Sequence, residues 1–398
     1  MKVTALGMGM CFFLPTHVFS AALETSNQSI APFLQPNHYA EFSTAIIDAD
    51  ISGKTLRPDE NNPSTFSETS TQDFIHSFYI SNAVLKFQAA PHWSIGLIYN
   101  QPFVTDVGYA FEPVSSSPVN LVNAVRFKMD THNLTTLLGY QPDSAWNFYG
   151  GLSYQTLDTQ LKISGQSMGI QADYIASMDK DSALGWLAGI SYQIPKYALK
   201  TSLSYRSKIQ HTPQFYEQTS SIPAIPVLNL SSEQYISIET PQSLNLEFQS
   251  GITPRNVVYT SLRWVNWKNF KMVSPLMSLG KATPVNLVDY QKNQLSATLG
   301  LAHIFNERWT SALDIGMDSG ISNPASTLSP SDGYYSFGIG GFYNVQSNLF
   351  IAGGVKYFRL NKAKVEQNQD GSGNLFGVLS SVNNNKAIAY GLKVGYRF

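Results

Sequence analysis

Four basic side chains in this 398-residue chain stand where they could bind an anion. Each lies in a segment whose polar and apolar residues alternate, which is typical of a β-strand with one polar face. On an enclosed polar face, such a cation binds a carboxylate, either from a ligand or from the chain's own acidic residues. Ion pairs with Asp314, Asp318 or Glu247 are the alternative to a ligand, and Arg206 and Arg263 are the better candidates for a ligand headgroup. The four residues are Lys200, Arg206, Arg263 and Lys356.

The residue types that carry catalysis occur without a catalytic spacing. The six histidines after residue 22 are dispersed, and none has the short spacing that is typical of a metal site. No glycine-rich phosphate loop is present. We therefore predict no enzyme activity, cofactor or metal, with a lipase as an alternative because the many serines could meet a histidine in space. The histidines are His38, His76, His92, His132, His211 and His303.

One proline interrupts a segment that otherwise alternates like a strand. The segment reads GLIYNQPFVTDVGY, and Pro102 stands where a strand residue would donate a ladder hydrogen bond. Proline has no N–H group and is confined to edge strands and bulges. The sequence therefore predicts a break in the strand at Pro102, with a simple bulge near the end of the strand as the alternative.

Residues 1–22 are predicted to be a signal peptide. Lys2 precedes a short apolar run, Pro15 ends that run, and Ser20, Ala21 and Ala22 supply small residues for cleavage. The run is too short to span a membrane, which takes about 20 apolar residues. The only cysteine lies inside this segment, so the exported chain has no disulfide chemistry.

The composition excludes several classes of protein. Only 13% of the residues are charged, against about 25% in soluble domains, and another 13% are aromatic. The mean hydropathy of −0.12 is too polar for a helical membrane protein. The formal net charge of −1 gives no reason to expect nucleic acid as a partner. An exported, aromatic and weakly charged chain of this kind is typical of an outer-membrane β-barrel.

The last segment of the chain has the alternation of a barrel strand. One face is apolar and the other carries small or basic residues, as in a strand between lipid and a polar lumen. Similar segments recur along the chain, and six short turns alternate with seven longer polar loops. That rhythm predicts about fourteen antiparallel strands in one barrel over residues 39–398, preceded by a short plug over residues 23–38. The apolar face of the last segment is Ile388, Tyr390, Leu392, Val394, Tyr396 and Phe398.

The six tryptophans lie near the ends of predicted strands. Tryptophan is enriched where the apolar membrane core meets water, so these positions favour two aromatic belts. They are Trp93, Trp146, Trp186, Trp264, Trp267 and Trp309.

Four segments, in this order, resemble the long-chain fatty acid transporter family of the outer membrane, the FadL or OmpP1/TodX group. They read NAVLKFQAAPHWSIGLIYNQPFVTDVGY, YALKTSLSYRSKI, ETPQSLNLEFQSGITPRNVVYTSLRWVNWKNF and the closing strand. The resemblance covers most of the exported chain and implies a fourteen-stranded barrel in the bacterial outer membrane. The terminal Phe398 resembles the signal that outer-membrane barrels present for assembly, so lipid and the barrel assembly machinery are expected partners.

The resemblance gives Pro102 a functional interpretation. In this family the third strand bends inward and leaves an opening through which an apolar ligand passes sideways into lipid. The positions that match this bend and opening are Asn100, Pro102, Phe103 and Asp106. The family's usual plug carries an Asn-Pro-Ala motif that this chain lacks, so the resemblance does not predict the coupling of plug and bend for this chain.

Two long loops carry apolar residues that could capture a hydrophobic ligand. Met168 and Ile175 lie in one, and Phe215 and Tyr216 lie in the next. Exposed apolar clusters favour a binding groove, although packing of the loops on each other is an equal alternative. In the family these two loops form the first, weak binding site.

Together these patterns and the resemblance predict passive uptake of long-chain fatty acids or similar hydrophobic molecules. Ligand contacts are expected at Arg206, Arg263, Lys356 and Phe103, besides the loop residues just named. A channel of the same build for aromatic or alkane hydrocarbons is the main alternative. A barrel lipase, or a structural or adhesive barrel, would be a protein of another class.

Overall fold

A computed structural model of the protein describes residues 24–58, 65–70, 73–110, 121–167, 170–220, 229–290, 292–321, 332–364, 381–382 and 385–398. The predicted signal peptide and Met168 lie outside the described residues.

Fourteen antiparallel strands form a closed barrel, as predicted. Each strand pairs with its neighbours along the chain, and the first strand pairs with the last from Tyr39 opposite Arg397 to Asp50 opposite Lys386. Closure pairs the edges that the first and last strands would otherwise expose to lipid. The strands are Tyr39–Asp50, Phe78–Ala90, Trp93–Asn100 continued by Val104–Ala110, Leu121–Tyr140, Trp146–Ser167, Asp181–Ile194, Leu199–Arg206, Ser243–Thr253, Asn256–Val265, Gln294–Ile304, Trp309–Asp318, Tyr334–Asn344, Leu349–Leu360 and Lys386–Arg397.

The alternation of the sequence separates a lipid-facing surface from a lumen. On the last strand, Leu392 and Val394 are exposed while Ala387 and Ala389 are buried. The same pattern recurs around the barrel, because successive side chains of a strand point to opposite faces.

An aromatic belt surrounds the end of the barrel that holds the turn between Ala90 and Trp93, here called the short-turn end. Three exposed tryptophans each lie on a tyrosine of the neighbouring strand, with ring centroids 4.6 to 4.8 Å apart. The belt prediction was wrong for Trp267, which is fully buried inside the barrel because the chain turns inward after Val265. The three pairs are Trp93 with Tyr140, Trp146 with Tyr192, and Trp309 with Tyr343.

The opposite end, the long-loop end, carries additional short strands. Ile170–Met178 folds back on the fifth barrel strand and pairs with Gln214–Thr219, which in turn pairs with Leu230–Tyr235. This small sheet joins two long loops. The other short strands are Gly53–Pro58, Phe66–Ser70, Ile209–His211, Ile238–Thr240, Lys271–Ser274, Val285–Asp289, Ala363–Lys364 and Ser381–Val382, and the 3-10 helices are Pro195–Tyr197 and Trp267–Asn269.

No helix among the described residues is long and apolar enough to span a membrane.

Residues 24–38, here called the plug, lie inside the barrel. Phe33 is fully buried and packs edge to face on Tyr149 with centroids 6.1 Å apart. Two wall glycines make room for its ring, since a Cβ at Gly96 or Gly139 would lie 2.4 or 3.0 Å from a ring carbon. The plug therefore fits a space that the barrel sequence leaves for it.

Candidate functional site

The third barrel strand is interrupted around Pro102. Asn100 lies opposite Asn133 of the fourth strand, and Val104 lies opposite Asp130. The third strand thus advances four residues while the fourth advances three. The additional residue and the missing N–H of Pro102 bend the chain at residues 101–103, here called the bend.

The second and third strands separate beside the bend. They pair as far as Ala83 opposite Tyr99, and residues 78–82 of the second strand pair with the first strand only. Across this gap, the Ser81 N–H donates to the Gln101 side-chain oxygen at 2.9 Å. A bridge between Ile75 and Val107 rejoins the two sides farther along. We call the gap between residues 78–82 and 101–103 the wall opening.

The bend places Phe103 inside the barrel. Its side chain is 2% exposed, and its ring lies edge to face on Trp267 at 5.4 Å. Trp267 also contacts Phe270 and Tyr290 at 5.4 and 5.3 Å. Thr131 accepts a bond from the Phe103 N–H at 2.9 Å and fixes the inward course of the backbone. Phe103, Trp267, Phe270 and Tyr290, here called the aromatic cluster, therefore form an apolar wall beside the opening.

The start of the plug is bonded directly to the bend. The Thr25 N–H donates to the Pro102 carbonyl at 2.8 Å, and its hydroxyl donates to the Gln101 carbonyl at 2.9 Å. Glu24 forms an isolated β-bridge with Phe103. Plug and bend are thus in contact, although the plug lacks the Asn-Pro-Ala word.

Arg263 joins the plug to the opposite wall. Its guanidinium is buried and donates from Nε to Glu24 Oε1 at 3.0 Å and from Nη2 to the same oxygen. Its third nitrogen donates to Ser243 at 3.2 Å and to Asn245. Burial raises the pKa of the Glu24 carboxyl, and the positive charges of Arg263 and Arg206 oppose that rise. The predicted headgroup residue therefore holds a carboxylate from the protein itself.

Arg206 faces the same part of the lumen. It is 8% exposed and donates to the Gln28 carbonyl of the plug at 3.3 Å. Glu247, one of the acidic residues proposed as an ion-pair partner, instead accepts from the hydroxyls of Ser29 and Ser202. The structure therefore brings Arg206 and Arg263 together around the plug.

The remaining predicted residues of the wall lie apart from this pair. Lys356 forms a buried ion pair with Asp314 at 2.9 Å, as the ion-pair alternative predicts. Asn100, on the short-turn side of the bend, accepts a hydrogen bond from Asn133 at 3.1 Å. Asp106 lies on Val104–Ala110, between the bend and the long-loop end.

The loop residues take different positions within the small sheet. Phe215 is 1% exposed and belongs to the same buried apolar cluster as Phe103 and Trp267. Ile175 is 44% exposed, and Tyr216 donates to Asp179 at 3.3 Å. The apolar interior therefore continues from the loops to the bend, while Ile175 lies on the outside of the loops.

Glu217 is a connecting residue that sequence reasoning missed. Its buried carboxylate accepts from the Tyr174 hydroxyl, the Ser274 hydroxyl and the Leu276 N–H, so it joins three loops. The acid that follows two aromatic residues in the segment FYEQT was the available signal. Glu24 was also missed, and the sequence around it carries no signal.

A polar cavity of about 420 Å³ lies at the short-turn end, beyond the plug. Lys86 and Lys200 line it and donate to the plug carbonyls of Gln35 and Leu34 at 2.9 and 2.7 Å. An apolar molecule in the aromatic cluster would have to pass the plug and this polar space to leave through the short-turn end. Four glutamines also line this polar cavity, namely Gln88, Gln141, Gln193 and Gln249.

Comparison with known proteins identifies the family. A family model described as outer membrane protein transport protein (OMPP1/FadL/TodX) matches residues 29–398. No curated protein matches the chain.

Solved structures share the fold at low identity. A FadL homologue of Pseudomonas aeruginosa is 16% identical, with a TM-score of 0.72 over 100% of this chain and 98% of the other. The toluene transporter TodX of P. putida is 12% identical, with a TM-score of 0.61 over 92% and 91%. The monoaromatic hydrocarbon channel CymD is also 12% identical, with a TM-score of 0.57 over 92% and 89%.

Proposed function

This chain belongs to the outer membrane protein transport protein family (OMPP1/FadL/TodX), and we propose that it is a passive channel for long-chain fatty acids that releases them sideways into the membrane. The family consists of outer-membrane barrels that transport hydrophobic compounds. The choice of fatty acid and the lateral exit are the parts of this proposal that go beyond family membership.

Entry through the loops is supported by the apolar interior at the long-loop end. Outer-membrane barrels place their long loops outside the cell. The buried cluster that contains Phe215 extends without interruption to Phe103 and Trp267. A hydrocarbon chain moving along it would stay out of water, which favours transfer by about 0.8 kcal/mol for each buried CH₂ group.

A carboxylate headgroup is supported by Arg263 and Arg206. Both are buried, and both face the plug beside the aromatic cluster. A guanidinium forms strong, directed hydrogen bonds with a carboxylate. A fatty acid could therefore bind with its headgroup at Arg263 and its chain along the aromatic cluster.

The wall opening is the single observation that carries the lateral exit. A barrel wall in lipid is normally fully paired, because an unsatisfied backbone group costs several kcal/mol there. Here the missing ladder is replaced by bonds that Ser81 and Thr25 donate and by one that Thr131 accepts. Bonds of this kind can be exchanged without unpairing whole strands, so the opening can admit a ligand at modest cost.

A repaired wall tests the lateral exit. Deletion of Gln101 together with Pro102→Val removes the additional residue and restores an N–H, so the two strands can pair continuously. We expect labelled oleate to enter proteoliposomes several-fold more slowly than with the wild type. Pro102→Ala alone keeps the additional residue and serves as the matched control. Equal oleate uptake by the repaired and wild-type proteins, both folded as judged by heat-modifiable gel mobility, would contradict the lateral exit.

Transport of uncharged hydrocarbons is the second candidate. It is favoured by the neutralisation of Arg263 by Glu24 and of Lys356 by Asp314. The aromatic cluster would suit a flat ring, since aromatic pairs prefer such edge-to-face contacts. Competition between oleate and toluene for the purified channel separates the two candidates, because a hydrocarbon channel would bind toluene without a preference for oleate.

A further inference from the structure

We propose that Glu24 determines the specificity of this channel by occupying, as an internal carboxylate, the position that a ligand carboxylate takes at Arg263. A ligand with an anionic head exchanges with Glu24 and releases the start of the plug, whereas a neutral ligand does not. This inference deepens the proposed function and rests on it.

The contacts of Glu24 are those of a bound ligand headgroup. Glu24 and Arg263 are 239 residues apart in sequence, and both are buried, at 3% and 5% exposure. Two guanidinium nitrogens converge on one Glu24 oxygen, while Ser243 and Asn245 hold the third nitrogen. Arg263 is therefore the fixed member of the pair, since it lies on a barrel strand. Glu24 belongs to the fifteen plug residues 24–38, which are part of no barrel strand.

Charge balance makes the exchange selective. Separating a buried ion pair leaves two uncompensated charges in a poorly solvated space, which is strongly unfavourable. A fatty acid carboxylate that takes the place of Glu24 keeps Arg263 paired, and Glu24 then moves towards water. An alcohol or a hydrocarbon of the same length offers no replacement charge, so Glu24 stays paired with Arg263.

The exchange is connected to the wall opening by neighbouring bonds. Glu24 bridges Phe103, and the next residue, Thr25, bonds to Gln101 and Pro102. Moving Glu24 therefore removes the contacts that the plug makes with the bend. The same step that recognises the headgroup frees the backbone beside the wall opening.

A spin label in the plug tests this inference in the full-length barrel. The sequence after residue 22 contains no cysteine, so Asn27→Cys carries a single nitroxide. We expect oleate to increase the mobility of the label and oleyl alcohol, which has the same chain and a neutral head, to leave it unchanged. Equal responses to both lipids, or no response to oleate, would overturn the proposal.

Two variants in the labelled protein make the test specific to charge. Glu24→Gln should release the label without any ligand and bind oleate about tenfold more tightly, since the competing carboxylate is gone. Glu24→Arg combined with Arg263→Glu reverses the pair and should respond to oleylamine instead of oleate. Glu41→Gln, which removes a lumen carboxylate paired with Lys393 at 3.3 Å, is the matched control and should behave as the wild type.

Uptake measured beside label mobility separates this inference from the proposed function. Oleate that enters proteoliposomes without mobilising the label leaves the transport function standing and overturns the role of Glu24. Oleate that mobilises the label but does not enter supports the exchange and contradicts transport.

Discussion

At the bend around Pro102, single residues supply the hydrogen bonds that a paired neighbouring strand would otherwise make. Pro102 has no N–H, yet its carbonyl accepts from Thr25, and the adjacent Phe103 N–H finds the Thr131 hydroxyl. Each backbone group of the bend named here is therefore satisfied by a side chain or by the plug. Buried backbone groups without a partner are rare in folded proteins, so the bend is a supported feature of the wall.

The fit between Phe33 and the wall gives a prediction at this scale. Phe33→Ala should weaken docking of the plug by about 3–5 kcal/mol, because a fully buried ring is lost. Gly96→Ala should cost about 1–3 kcal/mol, because its Cβ overlaps that ring. In the double variant the methyl group enters the vacated space, so the cost should be smaller than the sum. Hydrogen exchange of residues 24–34 measures the three free energies of docking.

Gly300→Ala is the matched control for this cycle. Its Cβ would overlap the ring of Tyr259, which Phe33→Ala does not move. The costs of Gly300→Ala and Phe33→Ala should therefore add. Additive costs for Gly96→Ala and Phe33→Ala as well would show that the two residues do not share a space in the folded protein.

At the scale of elements, a single buried carboxylate connects three of the loops at the long-loop end. Glu217 lies on Gln214–Thr219 and accepts from Tyr174 on Ile170–Met178 and from Ser274 at the end of Lys271–Ser274. These contacts connect three separate loops, including the one that carries Glu217. A buried acceptor that satisfies several donors is expensive to remove.

Glu217→Gln should loosen all three loops together. The amide keeps one acceptor oxygen but turns an NH₂ group towards hydroxyl and N–H donors, which costs about 1–3 kcal/mol. We expect faster hydrogen exchange in residues 170–178, 214–219 and 271–278, and weaker capture of oleate. Glu233→Gln, on the exposed strand Leu230–Tyr235, is the control. A change confined to 214–219 would contradict the role of Glu217 as a shared connection.

The sequence predicted the elements better than their contacts. Period-two alternation identified the strands and the face of each inward cation, because alternation depends only on neighbouring residues. It could not identify partners, so Arg263 was compared with acids on other strands while its partner was Glu24, 239 positions away. Trp267 was misplaced for a similar reason, since a turn after Val265 moves it from the membrane interface into the lumen.

At the scale of the whole molecule, the plug divides the lumen into two parts. The long-loop end contains the apolar cluster, and the short-turn end contains the polar cavity with Lys86 and Lys200. The plug separates the two and is bonded to both. The wall opening lies beside the plug, at the apolar end of this division. An apolar molecule beside the wall opening would therefore reach the membrane without passing the plug.

This division predicts where transported oleate arrives first. A quencher attached to lipid tails reports oleate carrying a fluorophore in the bilayer, and an oleate-binding probe sealed inside proteoliposomes reports its arrival in the inner water. We expect quenching to precede the inner signal in the wild type, because the proposed release is sideways. Vesicles without protein, which receive oleate by slow partitioning, give the background for both signals. A signal from the inner probe that rises first would mean that oleate passes the plug and the polar cavity, and the division of the lumen would then not set the exit route.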